Sequence, residues 1–168
     1  MYIITILSTV VLLFLDQIAK YLAVLHLKGQ AAIPIIKNVF ELQYLENQGA
    51  AFGIMQGKKT FFVIGTLIFL VIVGILYHNI PLTKRFTPIR IVAVLIVAGA
   101  IGNMIDRVVH QYVIDFFYFK LINFPIFNVA DIYVVVACIL FILLMLFYYK
   151  EEELGQIFPF MKSKKAEE

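Results

Sequence analysis

Four long apolar segments, separated by polar loops, dominate the hydrophobic pattern of the chain. They cover Tyr2 to about Leu27, Phe61–Tyr77, Ile91–Ile105 and Ile132–Tyr149. A helix that crosses a bilayer needs about 20 predominantly apolar residues, with a range of about 17–25. The second and fourth segments fit this range, and the third fits it if the flanking Arg90 and Arg107 snorkel toward the interfaces. The pattern therefore predicts an all-α membrane protein with four transmembrane helices.

The loops between these segments differ in character. Residues 28–60 form the longest loop, and the partial alternation over residues 39–46 predicts a strand within it. Residues 108–128 are rich in aromatic side chains, which is typical of a segment in the headgroup region. The chain is predicted to form a single membrane domain over residues 1–150, followed by a charged cytoplasmic tail over residues 151–168.

Composition agrees with the hydrophobic pattern. The 168 residues are 62% hydrophobic and 15% charged, and the mean hydropathy is +0.95. A soluble domain of this size has too little core volume to bury so much apolar surface, so the bilayer is the expected solvent. A net charge of +3 with scattered basic residues gives no support to nucleic-acid binding. Because Lys20 is the first basic residue and no small-x-small cleavage site follows, the first segment is interpreted as a retained helix.

Basic residues provide the available signal for the orientation of the helices. An even number of spans places both termini on one side, and the basic residues divide equally, seven on each side. Three of them, Lys84, Arg85 and Arg90, are concentrated in the short loop 78–90, which favours a cytoplasmic location for that loop. Both termini are therefore predicted to be cytoplasmic.

Most of the ionisable residues within or beside the spans fall at one end of the predicted bundle, away from the termini. With neighbouring asparagines they are Asp16, Lys20, Asn103, Asp106, Arg107, Asp115, Asn128 and Asp131. Spacings of three or four residues place several of them on shared helix faces. Ionisable groups at membrane depth are costly and usually mark a functional site. The alternative is that opposite charges, such as those of Asp16 and Lys20, form internal ion pairs that hold the helices together.

The residue types at this end limit the chemistry that it can perform. The only serines, Ser8 and Ser163, lie far from the cluster, and Cys138, expected to be a small buried hydrophobe, has no histidine in register. The three histidines show no metal-ligand spacing, so no metal or other cofactor is expected. Carboxylates remain, and two of them held close together share a proton. One can then activate water while the other polarises a carbonyl group.

Two pairs of carboxylates are compatible with this chemistry. Asp131 opens the fourth helix, whose dipole favours its anion. Asp115 lies in an aromatic and apolar loop, which favours its protonated form. On spacing alone, Asp106 with Asp131 is an equal candidate, so the residues by themselves do not decide between the two pairs.

Two other classes of protein compete with a hydrolase. One is a small proton- or ion-conducting protein that uses the charges of the first and third helices as its pathway. The charges stop at one end of the bundle, and the second segment offers little polarity beyond Thr66, so no continuous route crosses the membrane. The other is a structural membrane subunit without chemistry, which leaves Asp115 and Asp131 unexplained.

Five short blocks occur in a fixed order along the chain. They are Asp16-Gln-Ile-Ala-Lys20, Asn47-Gln-Gly-Ala-Ala-Phe-Gly53, Gly99-Ala-Ile-Gly-Asn-Met-Ile-Asp-Arg107, Val113-Ile-Asp-Phe116 and Phe127-Asn-Val-Ala-Asp131. Together they resemble the lipoprotein signal peptidases (signal peptidase II) of bacteria, from the first helix through the fourth. The resemblance implies an aspartic peptidase of the bacterial cytoplasmic membrane. Such an enzyme removes the signal peptide of a prolipoprotein, cutting before a cysteine that carries diacylglycerol.

The resemblance also implies a role for each matching residue. Asp115 and Asp131 match the catalytic pair, at the extracytoplasmic face. Positions that bind the substrate are matched by Asn47, Asn103, Arg107 and Asn128. Supporting polar positions are matched by Asp16, Lys20 and Asp106. The first long loop would form a small extracytoplasmic β-like cradle, and the implied partners are a diacylglyceryl-modified prolipoprotein and membrane lipids, with the enzyme acting as a monomer.

Overall fold

The computed structural model describes residues 2–49 and 57–158. Four long helices are joined by a small antiparallel sheet and by short loops. In chain order the elements are α1 (Tyr2–Leu27), β1 (Ile33–Ile36), β2 (Phe40–Asn47), α2 (Lys59–Asn79), α3 (Thr87–His110), β3 (Val113–Tyr118), α4 (Val129–Leu143) and α5 (Glu151–Ile157). One π-helical turn, Leu144–Tyr148, extends α4, and single 3₁₀ turns cover Lys84–Phe86 and Lys120–Ile122.

The four predicted membrane helices are confirmed as helices long and apolar enough to cross a bilayer. The third differs most from its prediction, because α3 has 24 residues and includes both flanking arginines. Arg90 is buried, and its guanidinium donates to the carbonyl oxygens of Ile80, Pro81 and Thr83. These hydrogen bonds hold the loop before α3 against the bundle. The helix ends where Gln111 adopts a left-handed backbone with φ of 72°.

A three-stranded antiparallel sheet in the order β1-β2-β3 lies at the end of the bundle where the polar residues gather. The strand predicted over residues 39–46 is confirmed by β2, with β1 as its hairpin partner. The third strand was not predicted, since residues 113–118 fall in the aromatic segment expected in the headgroup region. Its register pairs Asn47 with Val113 and Leu45 with Asp115. The sheet thus brings the end of the first loop next to Asp115.

α3 is the central helix and packs against α1, α2 and α4. Two glycines allow its close approach to the neighbouring helices. A Cβ atom on Gly99 would lie 2.5 Å from the backbone oxygen of Ala130, and one on Gly102 would lie 2.6 Å from Oδ2 of Asp16. Small residues permit such contacts between membrane helices. Gly99 and Gly102 therefore bring α4 and α1 onto α3 at the level of the polar residues.

The outer surfaces of the helices are apolar and exposed, as expected of a bundle whose solvent is lipid. α2 has no buried residue, so most of its surface is available to acyl chains. Cys138 on α4 is also exposed. The prediction that this cysteine is buried is therefore wrong, because it lies on the face of α4 turned away from the other helices.

The segment after α4 covers the opposite end of the bundle. Phe86 stacks on Tyr149 with ring centroids 5.4 Å apart, and the apolar side of α5 is buried in the same cluster. Nε of Arg85 lies 2.8 Å from Oε1 of Glu153, which connects α5 to the loop before α3. Residues 159–168 of the predicted tail lie outside the described residues, and the division of the chain at residue 150 stays a prediction.

Candidate active site

The nine residues assigned catalytic, substrate-binding or supporting roles from the sequence lie in one polar cluster. It is formed where α1, α3, the sheet and the start of α4 meet. The cluster has two layers. The inner layer consists of Asp16, Lys20 and Asp106. The outer layer consists of Asn47, Asn103, Arg107, Asp115, Asn128 and Asp131. The part of the second sequence block over residues 50–53 lies outside the described residues.

The inner layer is a buried ion network. Nζ of Lys20 lies 3.0 Å from Oδ2 of Asp16 and 2.9 Å from Oδ2 of Asp106, and all three residues are at most 1% exposed. Backbone donors reach both carboxylates: Ala130 N lies 2.9 Å from Oδ1 of Asp16, and Ile114 N lies 3.1 Å from Oδ2 of Asp106. Buried charges are tolerated only when they are paired and hydrogen-bonded. The network therefore ties α1, α3, α4 and β3 together.

Gln17 is a member of this network that was not singled out from the sequence. Its Nε2 donates to Oδ2 of Asp16 at 3.1 Å and to Oδ1 of Asp106 at 3.2 Å. A neutral donor between two carboxylates reduces their mutual repulsion without adding a third ion pair. The available signal was a polar residue inside an otherwise apolar helix, next to Asp16.

The outer layer surrounds two carboxylates with amide donors. Oδ2 of Asp115 accepts from Nδ2 of Asn47 at 2.8 Å, and its Oδ1 accepts from Nδ2 of Asn128 at 2.6 Å. Oδ1 of Asp131 accepts from Nδ2 of Asn103 at 2.8 Å, and its Oδ2 accepts from the backbone nitrogen of Asn128 at 3.0 Å. Asn128 thus contacts both aspartates and links them directly.

The oxygen of each asparagine amide is also engaged, which orients its nitrogen toward a carboxylate. Oδ1 of Asn47 accepts from the backbone nitrogen of Gly49 at 3.0 Å, and Oδ1 of Asn103 accepts from Nζ of Lys20 at 2.9 Å. Oδ1 of Asn128 caps α4 by accepting from the backbone nitrogen of Asp131 at 3.1 Å. The local fold of each asparagine therefore determines which of its amide atoms faces the aspartates.

A cavity of about 430 Å³ opens over the outer layer. Asp115 and Asp131 both line it, together with Asn47, Asn103 and Arg107. Its other wall is apolar and includes Phe124, Pro125, Ile132, Val135 and Val136. Asp106, the alternative partner of Asp131 on spacing, does not line this cavity, because it is committed to the inner layer.

Burial dominates the protonation of Asp115, which lies on β3 outside the membrane helices. Burial raises the pKa of its carboxyl group to about 7, with a further increase from the charge of Asp131. The hydrogen bonds from Asn47 and Asn128 lower the pKa and offset part of this increase. A carboxyl group with a pKa near 7 can both give and take a proton at neutral pH.

Arg107 forms one edge of the cavity. Its guanidinium donates to the backbone oxygens of Asn103 and Gly49, both at 3.3 Å, and lies 4.8 Å from the ring centroid of Phe62. The ring contact is a cation–π interaction that connects α2 to the site. Phe62 was not identified from the sequence, where it is one of many apolar residues in the second segment.

Among residues 2–49 and 57–158, no three or more His, Cys, Asp or Glu side chains are grouped so that they could hold a metal ion. The polar cluster consists of carboxylates paired with Lys20 or with amide donors. That the reaction needs no metal or other cofactor stays a prediction.

Fold and cluster together define a four-helix membrane protein with a carboxylate-lined cavity at one end of the bundle. The family model described as signal peptidase (SPase) II matches residues 8–147 of this chain. The chain therefore belongs to the signal peptidase II family, whose members are aspartic peptidases that cleave the signal peptides of prolipoproteins. Family membership confirms the resemblance seen in the five sequence blocks and stands against the ion-conducting and purely structural alternatives.

Individual relatives agree with the family assignment. The chain is 45% identical to the lipoprotein signal peptidase of Clostridium novyi over 76% of its own length and 87% of the relative, and 42% identical to that of Clostridioides difficile over 80% and 88%. Two solved structures of bacterial membrane enzymes, determined by the in meso method, are 35% and 34% identical, with TM-scores of 0.75 and 0.73. They cover 84% and 86% of this chain, and this chain covers 87% and 94% of theirs.

Proposed function

We propose that this protein removes the signal peptide of diacylglyceryl-modified prolipoproteins, cutting before the lipidated cysteine, with Asp115 and Asp131 as its catalytic residues. One observation carries the assignment of these residues. Their two carboxyl groups line one cavity and are linked through Asn128, whereas the remaining two aspartates of the chain are committed to Lys20.

The proposed reaction uses one shared proton. Asp131, whose oxygens accept hydrogen bonds at the N-terminus of α4, begins as the carboxylate, and Asp115 begins protonated. Water adds to the scissile carbonyl carbon as Asp131 takes its proton and Asp115 protonates the carbonyl oxygen. The C–N bond then breaks, the amine of the lipidated cysteine leaves with the proton from Asp131, and Asp115 recovers its own proton from the hydroxyl group.

Four residues of the outer layer match substrate-binding positions: Asn47, Asn103, Arg107 and Asn128. We propose that Asn47, Asn103 and Arg107, which line the cavity, contact the substrate directly. Asn128 is fully buried and does not line the cavity, so its proposed part is to hold Asp115 and Asp131 in place for the substrate. Asparagine amides can donate to and accept from a peptide backbone without adding charge. Arg107 contributes donors at the edge of the cavity, and its own contacts to backbone oxygens hold it in place. The substrate backbone is thus held beside the two aspartates by groups that are already oriented.

Three inner-layer residues are proposed to support the site: Asp16, Lys20 and Asp106. They lie beneath the cavity and do not line it. Lys20 acts as a positioning residue because its ammonium group holds Oδ1 of Asn103, which leaves Nδ2 of Asn103 for Asp131. Asp16 and Asp106 balance the charge of Lys20 at a depth where an isolated ion is costly.

Lipid is proposed to enter the cavity from the bilayer. Ile132, Val135 and Val136 line the cavity and are also exposed on the outer surface of α4. An acyl chain of the modified cysteine can therefore stay in contact with the hydrophobic phase while the peptide bond reaches the aspartates. Because the acyl chain is already in hydrocarbon, its contact with the cavity wall adds packing and not removal of surface from water, and its main effect is to hold the peptide bond close to the aspartates.

The finer localisation is also part of the proposal. We place both termini in the cytoplasm of a bacterial cell and the site at the extracytoplasmic face of the inner membrane, with the sheet as a cradle over lipid and peptide. Lys84 and Arg85 in the loop before α3, with Arg90 near the start of α3, favour this orientation. In a Cys138→Ala background, a thiol reagent that does not cross the membrane, added from outside, should label Lys37→Cys but not Lys84→Cys if this orientation holds.

The enzyme is proposed to act as a monomer, with residues 151–168 as a cytoplasmic tail to the domain.

The test is a cleavage assay on a purified diacylglyceryl-modified precursor. Asp115→Asn and Asp131→Asn are each expected to lower the rate by at least about 10³-fold while leaving membrane insertion intact. Glu152→Gln is the matched control, because it also neutralises one carboxylate but lies exposed on α5. Substantial activity in either aspartate variant contradicts the assignment of the catalytic pair.

A further inference from the structure

A groove lies between α1 and α3 at the end of the bundle opposite the active site. Its volume is about 740 Å³, within the range of about 300–1,000 Å³ typical of ligand sites, and most of its lining side chains are apolar. On α1 the groove extends from Ile4 to Leu12, which is roughly 12 Å at about 1.5 Å per residue. That length covers most of one leaflet, whose hydrocarbon is about 15 Å deep. The groove therefore has the dimensions of an acyl-chain site.

The end of the groove next to the start of α3 is basic. Lys84 and Arg90 line it together with the hydroxyl-bearing Thr87, and none of the described residues that line it is acidic. Lys84 is exposed and forms no ion pair with any residue in the described ranges. α3 begins at Thr87, so the partial positive charge of its N-terminus adds to that of the two side chains.

The neighbouring basic residue has a different role. Nε of Arg85 lies 2.8 Å from Oε1 of Glu153, and its guanidinium stacks on the ring of Tyr148 at 3.9 Å. The positive charge of Arg85 is thus balanced by α5, whereas that of Lys84 is left facing the groove. Arg90 holds the loop in this arrangement through the carbonyl oxygen of Ile80.

We propose that this groove binds one phospholipid with an anionic headgroup. An acyl chain lies between α1 and α3, and the phosphate is held by Lys84 and Thr87. Charge complementarity selects the anionic class, because a zwitterionic lipid would bring a cationic group next to Lys84 and Arg90. With the termini in the cytoplasm, the lipid belongs to the cytoplasmic leaflet, where basic side chains near the surface attract anionic lipids. The proposal does not depend on the peptidase reaction.

Native mass spectrometry of the full chain tests the proposal. Protein in detergent is equilibrated with an equimolar mixture of phosphatidylglycerol and phosphatidylcholine, and the ratio of the two one-lipid complexes is measured. The wild-type protein is expected to favour phosphatidylglycerol, and Lys84→Gln is expected to lower the ratio about fivefold, the factor for one basic side chain near a headgroup. Lys150→Gln is the matched control, since it removes one exposed positive charge at the same end but outside the groove. Its ratio should stay at the wild-type value.

A second variant tests the apolar part of the site. Ser8 lines the groove and is partly buried, so Ser8→Phe fills the space that an acyl chain would occupy. It is expected to reduce phosphatidylglycerol retention severalfold while the melting temperature stays close to that of the wild type. Equal retention of the two lipids by the wild type overturns the proposal. An unchanged lipid ratio in Lys84→Gln, or unchanged phosphatidylglycerol retention in Ser8→Phe, also overturns it. So does a fall of the ratio in Lys150→Gln as large as that in Lys84→Gln.

Discussion

Nζ of Lys20 donates to Oδ1 of Asn103 at 2.9 Å, so a residue of the inner layer orients a residue that contacts Asp131. Lys20→Met removes this donor and leaves Asp16 and Asp106 buried without their counterion. Breaking a buried ion pair in this way is expected to destabilise the protein by about 3–5 kcal/mol. Thermal unfolding in detergent measures that loss, and cleavage measured below the melting temperature should show a fall in kcat with little change in KM.

Lys28→Met is the matched control for this experiment. Lys28 pairs with Glu46 at 2.8 Å, but Lys28 is exposed and Glu46 is only partly buried, and ion pairs accessible to solvent contribute little to stability. Its melting temperature and kcat should stay near the wild-type values. If Lys20→Met unfolds and cleaves as the control does, Lys20 neither stabilises the bundle nor positions Asn103.

The pH dependence of cleavage follows from the environment of Asp115. The proposed mechanism needs a protonated Asp115, whose pKa is raised to about 7 by burial, so the rate should fall as pH rises through about 7. The hydrogen bond from Asn47 favours the ionised form and lowers the pKa. Asn47→Ala removes this bond, so the alkaline limb of the profile should move to higher pH even though the overall rate falls.

Gln43→Ala is the comparison for that profile. Gln43 lies on the same strand as Asn47 but is exposed, so its replacement should leave the alkaline limb in place. The readout is the position of the limb in kcat/KM against pH, which does not depend on the absolute rate. A shift of the Asn47→Ala limb to lower pH would contradict the proposed role of Asp115.

The helices were predictable because their signal is local. The second apolar segment, Phe61–Tyr77, differs from α2 only by short polar extensions at each end. β3 lacked such a signal: four consecutive residues from Val113 to Phe116 are buried, so its side chains do not alternate between an apolar and a polar face. Its partner β2 lies about 70 residues earlier in the chain, and the Leu45–Asp115 pairing is visible only once the helices have packed.

The site was predictable in its residue types more than in its arrangement. Helix spacing alone left Asp106 equal to Asp115 as a partner for Asp131. The structure separates them by packing, since Gly102 lets Asp16 approach α3 and the Lys20 network then holds Asp106 beneath the cavity. Contacts of this kind depend on three helices at once, which no single stretch of sequence encodes.

The effect of a chelator on cleavage tests whether the reaction needs a metal ion. The described residues contain no grouping of side chains suited to a metal ion, and the proposed reaction needs only water and two carboxyl groups. EDTA is therefore expected to leave the cleavage rate unchanged within experimental error. Inhibition by EDTA that zinc reverses, while magnesium does not, would require a metal-dependent mechanism instead.

Gly99 and Gly65 form a matched pair for testing the helix contact. A Cβ atom on Gly99 would lie 2.5 Å from the backbone oxygen of Ala130, whereas one on Gly65 meets no atom within 4 Å. Gly99→Ala should therefore lower the melting temperature, with a cost of about 1–3 kcal/mol from overpacking. Gly65→Ala should be neutral or stabilising by up to about 1 kcal/mol, because alanine is the better helix former. Equal melting temperatures for the two variants would show that α4 does not pack tightly on Gly99.

Lipid contact in the cavity predicts how the enzyme distinguishes its substrates. An unlipidated precursor should be a poor substrate, since it lacks the acyl chains proposed to lie along the apolar wall of the cavity. Val136→Asn places a polar group on that wall and should raise KM for the lipidated precursor with little change in kcat, because it weakens binding in the ground state and the transition state alike. Val71→Asn is the control: Val71 is similarly exposed to lipid, but it lies on α2 and does not line the cavity. A lipidated and an unlipidated precursor cleaved with equal kcat/KM would show that the apolar wall does not recognise the acyl chains.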